Sequence, residues 1–150
     1  MIAEERLAQS WFFTGFSRTQ IRTLLSNGRE ASYPAGEKVL VEGGPAESIY
    51  ILLQGAVAIK VRIEEHGELV LSMLTQIGEI FGWSALVEEG RFTASAECLA
   101  ESRIISFQRE KLEDLFARDL NLGYLFMKRL ASLISRRLEN TRALWKKEIS

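Results

Sequence analysis

At 150 residues, 47% hydrophobic and 26% charged, the chain has the make-up of one ordinary globular domain able to bury a substantial core. A formal net charge of -1 excludes both a global basic field for nucleic acid and an acidic tail. Cys98 is the sole cysteine, which excludes an internal disulfide and any multi-cysteine zinc or iron–sulfur site and suits a reducing compartment.

The opening stretch, "MIAEERLAQSWFF", lacks the basic and long apolar regions of a secretory signal, and no apolar run approaches about 18 residues. A cytoplasmic protein with no membrane contact is expected. "SRTQIRTLLSNG" then predicts a short amphipathic helix, with Ser17 as N-cap, Ile21, Leu24 and Leu25 on one face, and a stop at Asn27-Gly28. After Gly28 the apolar period changes to two. Turn signals recur about every 8–12 residues, at Pro34-Ala35-Gly36, Gly43-Gly44-Pro45, Gln54-Gly55, His66-Gly67 and Ile77-Gly78. That rhythm predicts a sandwich or small barrel rather than a parallel sheet with crossover helices. Two further strands are expected, from Thr93 to Leu99 and from Arg103 to Phe107.

Helical period returns in "QREKLEDLFARD", where Leu112, Leu115 and Phe116 share a stripe, and continues in a long amphipathic helix to the C-terminus. Gly123 predicts a break or bend between Leu120 and Gly123. Met127, Leu130, Ile134, Leu138 and Trp145, with Thr141 in series, approach coiled-coil spacing. Two uses are open for that stripe: a homodimer seam, or packing on the chain's own barrel. Beyond Arg137 the helix outruns a domain of this size, which favours a partner helix there. Its basic tail, including Arg136, Arg137, Lys146 and Lys147, reads as a solvated face favoured by the helix dipole, with a nucleic-acid surface as the lesser alternative.

The segment "GEIFGWSALVEEGRFTASAE", Gly78 to Glu97, carries the chemistry. Gly82 permits a turn that other residues resist, and Ser84 and Ala85 are small enough for a ligand to approach the main chain. A helical turn at "WSALV" would aim unpaired N–H groups at an anion. Arg91 would add a guanidinium able to bind phosphate in two-pronged fashion, and Thr93 and Ser95 could donate hydroxyls. The plainer alternative is a tight strand connection in which Arg91 pairs with Glu88 or Glu89.

The succession of short helix, "YPAGEKVLVEGGPAESIYILLQGAVAI", "GEIFGWSALV", "RFTASAE", "SRIISFQREKLEDLF" and long helix resembles the cyclic nucleotide-binding domain shared by the catabolite activator family, cyclic-nucleotide-dependent kinases and gated channels. The resemblance covers nearly the whole chain. It implies a mainly β fold, a jelly-roll barrel flanked by short N-terminal helices and a long C-terminal helix, in one domain with the barrel over about 29–107 and helices over about 108–148. It also implies a phosphate-binding cassette from Gly82 to Ser95, with Gly82, Trp83, Ser84, Ala85, Arg91, Phe92, Thr93 and Ser95 as ligand-binding candidates. The implied ligand is a cyclic nucleotide, cAMP or cGMP first, with no other cofactor and no metal.

Two departures from the family pattern stand out. Trp83 occupies the place of the glutamate that accepts the ribose hydroxyl, and an indole has only a donor. It could stack on a base, fill the ribose space or join the core. Arg91 lies one residue too far from Ser95, so a bulge would be needed to point it inward; without one, strand alternation turns it outward.

The expected function is therefore a non-enzymatic sensor that signals through its C-terminal helices, as a homodimer. The alternative is an interaction module whose pocket is filled by Trp83 and Phe92. A jelly-roll metalloenzyme would need clustered histidines, and His66, the sole histidine, lies in the "EEHGE" hairpin turn. No base stands near Cys98 in sequence to support covalent catalysis. The 150 residues carry no helix-turn-helix for DNA, which leaves the output to a partner, or makes the chain a standalone or excised sensor.

Overall fold

The computed structural model describes residues 2–87 and 90–149. Helix α1 (Ile2–Ala8) leads through a turn rich in phenylalanine to α2 (Arg18–Ser26). Ser17 caps α2 as expected: its Oγ accepts from the Gln20 amide at 3.0 Å, and Gln20 Oε1 accepts from the Ser17 amide at 2.8 Å. Glu4, buried on α1, forms an ion pair with Arg22 of α2 and locks the two helices together.

Among the described residues eight strands follow, in two antiparallel sheets. The first contains β1 (Arg29–Tyr33), β8 (Ser102–Gln108), β3 (Ser48–Gln54) and β6 (Ile80–Phe81), in that order. The second has the order β2 (Lys38–Leu40), β7 (Ser95–Cys98), β4 (Val57–Ile63) and β5 (Gly67–Leu74). The two sheets face one another as separate layers, which is the sandwich of the two alternatives that the turn rhythm offered, and the barrel that the resemblance implied is not closed. Between β6 and β7 lies a single turn of helix, α3 (Ser84–Val87). Helices α4 (Arg109–Arg118) and α5 (Leu120–Ile149) complete the chain.

Side-chain alternation along β3 explains how the layers are held. Ile49, Ile51 and Leu53 face the helices, where they meet Phe13, Ile21, Leu24, Leu112 and Phe126 in one core. Leu52 faces the other sheet and joins Val57, Leu74, Phe81, Ala96 and Ile104 in a second. A strand buried on both faces reads as a continuous apolar run, which is how "IYILL" reads.

The chain breaks between α4 and α5 at Asp119, before Leu120, and Asp119 Oδ1 then accepts from the Leu122 amide at 3.1 Å. Gly123 is within regular helix. A Cβ there would lie 2.8 Å from the Phe116 side chain, so this glycine serves close helix packing rather than a bend. Helix α5 presents two stripes. Leu122, Phe126 and Leu130 are buried against the chain's own core, whereas Leu120, Tyr124, Leu138 and Trp145 are exposed. Leu130 thus leaves the seam read from sequence and belongs to the domain interior.

Candidate functional site

The turn after β6 is shaped by Gly82. Its φ is +78°, and a Cβ there would come within 3.0 Å of both Leu40 and Tyr50, so conformation and crowding alike demand glycine. Tyr50 and Phe81 stack behind it with ring centroids 5.3 Å apart. The turn bounds a cavity of about 60 Å3. Gly82, Trp83 and Ser84 form one side, Phe92, Thr93 and Ser95 the other, and Arg137 of α5 lies across it.

Six of the eight sequence candidates thus surround one cavity. Ala85 does not line it: this residue is buried in the core between the sheets, and its amide is spent on the Gly82 carbonyl at 3.3 Å. Ser95 is buried, and its Oγ accepts from the Glu42 amide at 2.8 Å, which ties the cassette to the segment after β2.

Arg91 is exposed and points away. Its Nη1 donates to the Gly43 carbonyl at 2.6 Å. The cause is local pairing: Arg91 bridges Pro45, the Phe92 amide donates to Gly44 O at 2.9 Å, and Gly43 N donates to Phe92 O at 2.8 Å. Across this isolated bridge neighbouring side chains take opposite faces, with Phe92 buried and Arg91 exposed. The irregular backbone falls at Thr93 and Ala94, too late to restore Arg91 to the interior. Glu88 and Glu89, its alternative partners, lie outside the described residues.

The cation at the cavity is Arg137, which sequence reasoning placed only in a basic tail. Its guanidinium carbon lies 5.3 Å from the centre of the Trp83 ring, a cation–π contact. Burial pushes the Arg137 pKa below its ordinary value, and the Glu79 carboxylate opposes that shift. Glu79 is itself held in place, since Oε2 accepts from the Thr75 and Gln76 amides at 2.8 and 2.9 Å. A desolvated guanidinium beside a small-residue turn is suited to an anion. No sequence signal could reveal this, because the register of α5 against the sheets depends on packing far from the cassette.

Elsewhere, Cys98 is buried, and burial pushes its thiol above the ordinary value, against a hydrogen bond with Ser102 that lowers it, the environment of a structural rather than a nucleophilic cysteine. His66 is exposed in the turn between β4 and β5, and no metal-holding group of side chains occurs among the described residues. No helix is long and apolar enough to cross a membrane among the described residues.

The family model described as "Cyclic nucleotide-binding domain" matches residues 30–119. The chain is 28% identical over 138 residues to the "CRP-like cAMP-activated global transcriptional regulator" of Mycobacterium tuberculosis, covering 92% of this chain and 59% of that protein. It is 30% identical over 120 residues to the "cAMP-activated global transcriptional regulator CRP" of Pasteurella multocida, covering 78% of this chain and 54% of the relative. It therefore spans little more than half the length of these relatives. Among solved structures, the catabolite activator protein of Thermus thermophilus superposes with a TM-score of 0.79 at 26% identity, over 91% of this chain and 62% of that one. A cyclic nucleotide-binding domain from Methylobacillus flagellatus shares the fold with a TM-score of 0.84 at 23% identity, over 97% of this chain and 82% of that one. With its two antiparallel sheets, long C-terminal helix and matched segment, the chain belongs to the cyclic nucleotide-binding domain family.

Proposed function

We propose that this chain is a regulatory domain that binds a phosphate-bearing small molecule at the Gly82–Ser95 cassette, with cAMP and cGMP the first candidates, and signals through α5. The strand order, with β1 beside β8, β3 beside β6, β2 beside β7 and β4 beside β5, reads as a double-sheet jelly roll. One observation carries the functional reading: Arg137, a residue of α5, lines the same cavity as Gly82, Trp83 and Ser84. Ligand occupancy and helix position are then parts of one equilibrium.

The cavity of about 60 Å3 lies well below the roughly 300–1,000 Å3 of ordinary small-molecule pockets. A nucleotide can enter only if something moves. In this reading Arg137 leaves the face of Trp83 for the phosphate, and that exchange shifts α5. The half-buried guanidinium is partly desolvated, so an anion offers it compensation that the indole face provides less well. Such a shift requires the ligand to bind the two helix positions with different affinity.

The proposed assembly is a homodimer, with the exposed stripe of α5 paired against a second copy. The proposed role is sensory rather than enzymatic, with no bound cofactor beyond the ligand.

A second reading has its own support in the outward Arg91 and the buried Phe92: a nucleotide-blind interaction module. Calorimetric titration with cAMP and with cGMP separates the two. The sensor reading expects saturable heat, loss of about 10- to 100-fold in affinity in Arg137→Ala from the missing charge-assisted bond, and no change in Arg91→Ala. Absence of heat at millimolar nucleotide with an unchanged melting temperature selects the module.

A further inference from the structure

A second and larger opening lies on the other side of Arg137. There the N-terminal segment, the turn between β5 and β6, and α5 enclose a groove of about 570 Å3, a size suited to a small molecule. Three guanidiniums line it: Arg6 from α1, and Arg136 and Arg137 from α5. None of the three is in a salt bridge among the described residues. Among the described residues Glu79 is the single acidic side chain on the wall; its Oε2 accepts from two backbone amides, and its charge acts on Arg137. The groove therefore carries a local excess of positive charge in a molecule whose net charge is -1.

Its other walls are apolar. Leu133 and Ile77 face the opening, as does Trp11. Trp11 also orients Arg136, whose guanidinium carbon lies 4.2 Å from the centre of its ring, and is itself held by Arg129, which is not on the wall and whose guanidinium carbon lies 5.3 Å from that centre. Arg129 is fixed further by donating to the Trp11 and Thr14 carbonyls at 3.2 and 2.7 Å. Preorganised cations beside apolar walls suit an anionic head joined to an apolar body.

We propose that this groove is a binding site for a small organic anion, a phosphate or carboxylate carrying an aromatic or aliphatic body. The site is separate from the cassette and does not require the cassette to be occupied. Because its walls come from both the sheet layer and α5, an occupant bears directly on the helix, and through Arg137 on the cassette cavity.

The experiment titrates the whole chain with 1-naphthyl phosphate and with neutral 1-naphthol by calorimetry. One-to-one binding of the phosphate is expected, at least about tenfold tighter than naphthol, with affinity falling as salt rises. The pair Arg6→Gln and Arg136→Gln should weaken it at least about tenfold. Thr93→Trp, which obstructs the cassette, should leave naphthyl phosphate binding unchanged even where it abolishes any cyclic nucleotide signal. Equal affinity for naphthol, retained affinity in the double variant, or loss of binding in Thr93→Trp overturns the proposal. Should the double variant melt early, the salt series decides alone, and salt-insensitive binding in the unmodified chain overturns it.

Discussion

Gly82 shows how much of this site rests on a single missing side chain. An alanine there would have to hold φ near +78° with its Cβ against Leu40 and Tyr50, both tightly placed. Gly82→Ala is expected to destabilise the domain by about 1–3 kcal/mol, read as a lower urea midpoint with unchanged slope. An unchanged midpoint would mean that the turn relaxes freely. Two residues were less legible. Strand alternation near Arg91 offered inward and outward outcomes, and hydrogen bonds between Gly43, Gly44 and Phe92 decided for outward. Of the three roles open to Trp83, the structure shows the core one, since the ring packs half-buried against the helix-side core, and it adds a fourth: a platform for a cation from another element.

At the scale of the element, α5 is two surfaces on one rod. The inward stripe of Leu122, Phe126 and Leu130 ends where Arg137 and Asn140 begin, while the outward stripe continues through Leu138 to Trp145. Leu120, Tyr124, Met127, Leu138 and Trp145 keep helical steps along the exposed face, while Ile134, between Met127 and Leu138 in that series, is half-buried against the chain's own core. The two stripes respond differently to truncation. Leu130→Ala removes a side chain that is 1% exposed and should cost about 2–5 kcal/mol of domain stability. Leu138→Ala, at 50% exposure, should leave stability at low concentration nearly unchanged and instead weaken self-association in sedimentation equilibrium. Equal losses of stability in the two variants would contradict the division. The sequence pattern merged the stripes because residues three or four apart neighbour each other on any helix, whichever surface they meet.

For the molecule as a whole, burial in and against the core between the two sheets ties stability to groups that must stay uncharged. Burial raises the pKa of the Cys98 thiol, and likewise of the Tyr33 and Tyr50 phenols, above ordinary values of 9.0 and 10.0. Below those values both folded and unfolded forms are protonated, and the contribution is intact. As pH rises past them the unfolded chain releases protons that the folded chain retains, so fewer protons are bound in the unfolded state and stability falls. Urea midpoints should therefore decline between about pH 8.5 and 10.5, with a shallower onset in Cys98→Ala. A flat profile across that range would exclude the mechanism.

The sequence by itself determined the elements that local physics controls. The Ser17 cap, the turns that punctuate the strands and the left-handed backbone of Gly82 are set by neighbours a few residues away. Tertiary structure alone decided that the sheets remain two layers, that Gly123 marks a helix contact, that Leu130 faces inward, and that Arg137 rather than Arg91 reaches the cavity. The two layers depend on pairing between distant strands, the Gly123 contact on α5 packing against α4, and the placement of Leu130 and Arg137 on the docking of α5 against the rest of the domain. That docking is a sum of many weak apolar contacts, and no short stretch of residues encodes its register.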